Sequence, residues 1–161
     1  MDALKLLSEQ HQAVEELFKE YESSDDEETK QSAFEQIADD LAAHAEIEEK
    51  LFYPTVYIGD LKAHLRRAVE EHLSMKRLLA DLMDLSSGDE AFEAKMRVLQ
   101  EQVDHHVEEA EKDLFPKVRK NFVAAELESL GSQMESMFEE LKQREPRQNV
   151  PAETDQAARL E

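Results

Sequence analysis

Imidazole and carboxylate side chains recur in this chain at a spacing that suits a metal cluster. His11 and His44 return as His72 and His106, at offsets of 61 and 62 residues. Around two of them the surroundings return as well. Residues 44–54 read H-A-E-I-E-E-K-L-F-Y-P and residues 106–116 read H-V-E-E-A-E-K-D-L-F-P, each with proline ten residues after the histidine. Cysteine is absent, so disulfides, thiolate ligands and cysteine nucleophiles are excluded, and a bound metal must be held by nitrogen and oxygen donors.

Those residues need elements to carry them. Three glycines and four prolines in 161 residues leave few turns, which favours long helices over a many-stranded sheet. Asp2 is placed to cap a first helix reaching about Tyr21, with His11 among Leu4, Leu7, Val14, Phe18 and Tyr21 on one face. After the polar segment 23–28, a second helix runs from about Thr29 past Leu51, carrying Phe34, Ile37, Leu41, His44 and Glu48 on one stripe. Pro54 ends or kinks it, and Gly59 with Asp60 makes a turn and a new cap.

The third helix spans roughly 60–85, with His72 among Leu65, Ala68, Met75 and Leu79. The fourth follows a cap at Asp89 and runs to a kink near Pro116, with His106 among Leu99, Val103 and Ala110. Asn121 is placed to cap a fifth helix to about Arg144, whose face holds Leu127, Leu130, Met134, Met137, Phe138 and Leu141. That face either covers the bundle or makes a contact between copies of the chain. From Pro146 the sequence is polar and aperiodic and reads as a disordered tail, with Leu160-Glu161 as a cloning remnant. The expected fold is all-α: an up-down-up-down four-helix bundle with an additional C-terminal helix, residues 1–145 forming one domain and 146–161 the tail.

Each repeated histidine thus faces the bundle interior. A single buried histidine is ordinarily a hydrogen-bonded core residue. Four on four helices are different, because leaving four imidazoles unpartnered costs about 1–3 kcal/mol each, and a metal ion supplies the partner. Glu48 lies four residues after His44 on the same face, where an apolar residue belongs, and such a pair can chelate one ion or bridge two. In the second half Ala110 holds the matching position, flanked by Glu109 and Glu111, and helical geometry does not choose between these two. His105 points away from the stripe. His64, about 12 Å from His72 along a helix, is too far to share the cluster.

The set His11, H44-A-E-I-E48, His72 and H106-V-E-E-A-E111, with L-F-Y-P and L-F-P, resembles the hemerythrin-like (HHE cation-binding) domains over about residues 5–120. The resemblance implies a four-helix bundle holding a non-haem di-iron centre, oxo- or hydroxo-bridged, with bridging carboxylates. In hemerythrins those carboxylates lie four and five residues after their histidines, which matches Glu48 and selects Glu111. The implied ligand set is His11, His44, Glu48, His72, His106 and Glu111. The implied function is binding of oxygen, peroxide or nitric oxide in sensing, storage or detoxification. Oxygen-carrying members have a further histidine where this chain has Lys76, a departure that favours redox reactivity or iron sensing over plain oxygen carriage. Glu15 and Glu49 are spare carboxylates that could complete the shell.

Composition narrows the rest. A net charge of −20 disfavours nucleic acid and anionic membranes as partners. No apolar run reaches the length of a membrane span, and the start lacks the apolar stretch of a signal peptide, so the expected location is the cytoplasm. The ferritin-like signature of glutamate three before histidine is missing at every histidine. Two further readings stand beside the first: a di-iron oxidoreductase of peroxidase or nitric-oxide reductase type, and a metal-free helical module whose acidic surface binds a basic partner.

Overall fold

The computed structural model describes residues 1–160; Glu161, the last residue of the expected tail, lies outside the described residues. The elements are α1 (Ala3–Ser23), α2 (Glu27–Ile47), α3 (Tyr53–Thr55), α4 (Leu61–Met83), α5 (Glu90–Glu109), α6 (Phe115–Asn121), α7 (Ala124–Lys142) and a 3₁₀ helix Pro146–Glu153. No strand occurs among the described residues. The expected all-α bundle with a further C-terminal helix is the architecture found.

Local chemistry explains most of the boundaries. Asp2 Oδ1 accepts the Lys5 amide at 2.8 Å, and Asp26 Oδ1 accepts the Thr29 amide at 2.8 Å, so α2 begins slightly earlier than its periodicity suggests. Three expected caps work differently. The Asp60 side chain caps nothing, Asp89 instead accepts the Ser86 amide, and Asn121 turns back to donate to the Lys117 carbonyl at the end of α6. α7 is opened by Glu126, whose carboxylate accepts the Val123 amide at 3.0 Å.

Two π-helical turns, Glu48–Phe52 and Ala110–Leu114, follow the two repeat motifs. Pro54 and Pro116 have no amide hydrogen and would clash with the carbonyl four residues back. The widened turn moves that carbonyl aside while Tyr53 and Phe115 donate to the carbonyls of Glu48 and Ala110. The prolines therefore widen the helices rather than ending them.

Four long helices run alternately between two apolar clusters. One cluster holds Leu4, Leu7, Ile47, Phe52, Leu65, Phe115 and Leu130; the other holds Phe18, Phe34, Ile37, Leu79, Phe92 and Met96. Each repeated histidine falls at the junction: His11 between Leu7 and Val14, His44 between Ile37 and Ile47, His72 between Val69 and Met75, His106 between Val103 and Ala110. A polar layer thus divides the core.

The face of α7 (Leu127, Leu130 and Met134) is buried against the first cluster, so it covers the bundle of its own chain. Gly131 permits the approach, since a Cβ there would meet the backbone of Met1, Asp2 and Ala3.

The segment expected to be a disordered tail is ordered from Pro146 to Glu153 as a 3₁₀ helix lying on α2 and α4. Glu145 takes a left-handed conformation (φ 50°) and turns the chain back onto the bundle. Val150 then enters the second cluster, and Arg147 pairs with Asp39 at 2.7 Å. A buried apolar side chain, the Arg147–Asp39 pair and polar contacts from Arg77 and Lys76 hold a segment whose composition shows no periodicity. No described helix is long and apolar enough to cross a membrane.

Candidate metal centre

Glu48 is fully buried and lies at the middle of the polar layer. Its Oε1 is 3.1 Å from His72 Nε2, 3.3 Å from His44 Nε2 and 3.6 Å from His106 Nε2. The Nε2 atoms of His72 and His106 are 3.3 Å apart. The rings form two close pairs, His11 with His44 (4.9 Å between centroids) and His72 with His106 (4.8 Å).

The outward nitrogens show why the rings sit this way. Nδ1 of His11 meets Glu111 Oε2 at 2.6 Å, and Nδ1 of His44 meets Gln10 Oε1 at 2.6 Å. Nδ1 of His72 meets Glu49 Oε2 at 2.7 Å, and Nδ1 of His106 meets Glu71 Oε1 at 3.4 Å. Each of these oxygens only accepts, so each Nδ1 donates and each Nε2 is left to face inward. The inner atoms are short of partners: His11 Nε2, His44 Nε2 and both Glu48 oxygens are buried without a hydrogen bond. Orphaned buried acceptors of this kind are rare, and a cation is the group that satisfies them together. The donor set of imidazole and carboxylate suits iron or zinc.

Without a cation, protons take part of its place. Burial alone would lower His106, but the adjacent Glu48 and Glu71 carboxylates raise it to about 9, and His72 is raised for the same kind of reason by Glu48 and Glu49. Burial lowers His44 to about 3 and also lowers His11, so both stay neutral. Burial pushes the Glu48 carboxyl up, yet His44, His106 and His72 hold it well below the usual carboxylate range.

Of the six expected ligands, the structure brings the inward-facing atoms of Glu48, His72 and His106 within one ion's reach, with His44 Nε2 beside Glu48. Glu111 is elsewhere: its side chain is 39% exposed and rests on the outer nitrogen of His11. Glu49 backs His72, whereas Glu15 lies on the surface beside Lys19. His105 is exposed and shares a surface cluster with Glu71 and Glu109, the latter also paired with Arg67 at 2.5 Å. His64 pairs with Asp113 at 3.2 Å.

Sequence reasoning missed Gln10 and Glu71. Gln10 gave a signal, because it lies three after Leu7 and four before Val14, on the edge of the apolar stripe; Glu71 gave none. Tyr53 also belongs to the site, stacked on His72 with its hydroxyl 3.4 Å from Nε2. Lys76 is buried between Glu49 (2.9 Å) and Glu153 (3.2 Å).

Above the cluster is a cavity of about 40 Å³, walled by Val14, Leu41, Met75, Leu79, Val103 and Val107 with the four imidazoles at its base. A water occupies roughly 10–15 Å³ on this measure, so the space suits a ligand of only a few heavy atoms.

Fold and site define a class: a four-helix bundle whose polar layer is a buried imidazole–carboxylate cluster able to hold metal. Residues 2–118 match the family described as Hemerythrin HHE cation binding domain, and the chain belongs to that family. It is 32% identical over 134 residues to a protein of Nostoc sp. (strain PCC 7120) described as a DNA nickase; the match covers 83% of this chain but only 38% of that protein. The chain therefore spans well under half the length of that relative. Its fold is similar to the crystal structure of a hemerythrin HHE cation binding domain-containing protein from Mycobacterium kansasii, with TM-score 0.78 and 23% identity over 89% of each chain.

Proposed function

We propose that this protein is a non-haem di-iron protein that binds oxygen, peroxide or nitric oxide, serving in oxygen or iron sensing, storage or detoxification. The observation that carries the reading is Glu48, fully buried with both oxygens unsatisfied among four histidines whose Nε2 atoms face inward. His11 with His44, and His72 with His106, would hold two ions, with Glu48 shared between them. Glu111, already resting on His11, is the remaining carboxylate of the set.

Iron held there supplies one-electron redox chemistry and an affinity for small oxygen and nitrogen ligands. The chain's own residues do the rest. Gln10, Glu49, Glu71 and Glu111 fix the tautomers and orient the rings. The apolar wall of the cavity limits contact with bulk water, and its small volume favours ligands of a few atoms.

A second reading, a di-iron oxidoreductase of peroxidase or nitric-oxide reductase type, draws on Tyr53 and Lys76. Both carry protons at or beside the cluster, where a turnover cycle consumes them. Anaerobic reconstitution with Fe(II), metal analysis and then exposure to air test the first reading: about two irons per chain are expected, with an absorption band in the near ultraviolet that appears on oxidation. Glu48→Gln should bind less than one iron per chain while keeping its helical circular dichroism. Failure of the wild type to retain iron overturns the proposal, and multiple turnovers with peroxide or nitric oxide favour the enzyme.

A further inference from the structure

His72 is joined to the C-terminal segment by a continuous line of charged contacts. Its Nδ1 donates to Glu49 Oε2 at 2.7 Å. Oε1 of the same carboxylate accepts from Lys76 Nζ at 2.9 Å, and Nζ also pairs with Glu153 Oε1 at 3.2 Å. The side chains of Glu49 and Lys76 are 9% and 10% exposed, so water screens their pairing little. Glu153 is partly exposed and comes from outside the four-helix core, at the end of the 3₁₀ helix.

That helix has its own anchors. Val150 is buried in the second apolar cluster, Arg147 is paired with Asp39, and Arg77 Nε donates to the Thr154 carbonyl at 2.9 Å. Glu153 is thus delivered to Lys76 by contacts that do not depend on the charges it meets there.

Among the four imidazoles this line is singular. The acceptor behind His44 is the neutral Gln10, and the one behind His11 is the partly exposed Glu111. The acceptor behind His106, Glu71, has the exposed His105 for its outer neighbour. Only the carboxylate behind His72 also holds a buried lysine.

An imidazole that donates from Nδ1 to a carboxylate is a stronger metal donor at Nε2, and the effect grows with the negative charge on that carboxylate. Lys76 draws charge from Glu49, and Glu153, by sharing Lys76, returns part of it. We infer that the docked segment Pro146–Glu153 is a strap that tunes the metal centre: Glu153 draws Lys76 away from Glu49 and so strengthens His72 as a ligand. Lys76, Glu49 and Glu153 are positioning residues that act through one another. The inference rests on the metal-binding reading above.

The test uses the full chain and Co(II), whose visible bands report binding in competition with a chelator. Glu153→Gln should weaken binding by about threefold to tenfold, within the range that outer partners of metal ligands command. Lys76→Met should strengthen it. The double variant should match Lys76→Met alone, because Glu153 acts only through Lys76. Val150→Asn, which undocks the segment while adding no charge, should reproduce Glu153→Gln. A merely structural role would weaken binding in every variant and make the two charge changes additive. Equal affinities, shifts of the same sign, or additivity overturn the strap while leaving the metal site standing. No Co(II) uptake by the wild type overturns the metal reading and the strap with it.

Discussion

Gln10 Oε1 lies 2.6 Å from His44 Nδ1 across the α1–α2 interface, and it is the one uncharged acceptor in a layer otherwise backed by carboxylates. The amide fixes the same tautomer as a carboxylate would, but it adds no charge. His44 is accordingly the imidazole that burial holds most firmly neutral, at about 3.

Gln10→Leu should leave the His44 Nδ1–H buried without an acceptor. The metal-free protein should lose about 1–3 kcal/mol, read as a lower midpoint in urea. Metal affinity should fall by about tenfold to a hundredfold, read by chelator competition. Gln10→Glu should keep the acceptor and hold metal more tightly than wild type. Equal affinities in all three proteins would mean that Gln10 does not orient the ligand.

Protons should compete with metal at the other end of the layer. Metal-free His106, raised to about 9, is protonated at neutral pH, and a metal ligand must be neutral. Lowering the pH below about 9 therefore favours the protonated, metal-free form, and apparent affinity should decrease as pH falls. Loading at pH 7.5 in weakly buffered solution should release at least one proton per chain, measured with an indicator dye. Loading without proton release would contradict the protonation of His106.

Bound metal should stabilise the bundle by mass action. At free metal one hundred times Kd the gain is about 2.7 kcal/mol, which for a chain of this size raises Tm by about 5–11 °C in scanning calorimetry. Chelation should reverse it. The same Tm with and without iron would support a bundle whose role is independent of metal.

Gly131→Ala probes the covering helix. The new Cβ would lie 2.7 Å from the Ala3 amide nitrogen and the Asp2 carbonyl carbon, which are backbone atoms with little freedom to yield. A loss of about 1–3 kcal/mol is expected, with iron stoichiometry unchanged because the contact lies at the α1–α7 interface rather than in the polar layer. Loss of iron from a folded variant would show instead that α7 shapes the metal layer.

The inward-facing histidines were legible because a helix repeats every 3.6 residues: an imidazole spaced with Leu7 and Val14, or with Val69 and Met75, can only lie on their face. The same periodicity exposed Glu48 as a carboxylate in an apolar position and made the four-helix order readable. What lay beyond it was every relationship between helices. His44 with Gln10, His72 with Glu49, His106 with Glu71 and His11 with Glu111 are separated by 34, 23, 35 and 100 residues. Such pairs depend on how the bundle packs, which sets the rotation and height of each helix to within a side-chain rotamer. The docking of Val150 depends on the same packing, since its groove exists only after α2 and α4 have come together. Local periodicity records which way a residue faces, and only the packed bundle settles what it meets there.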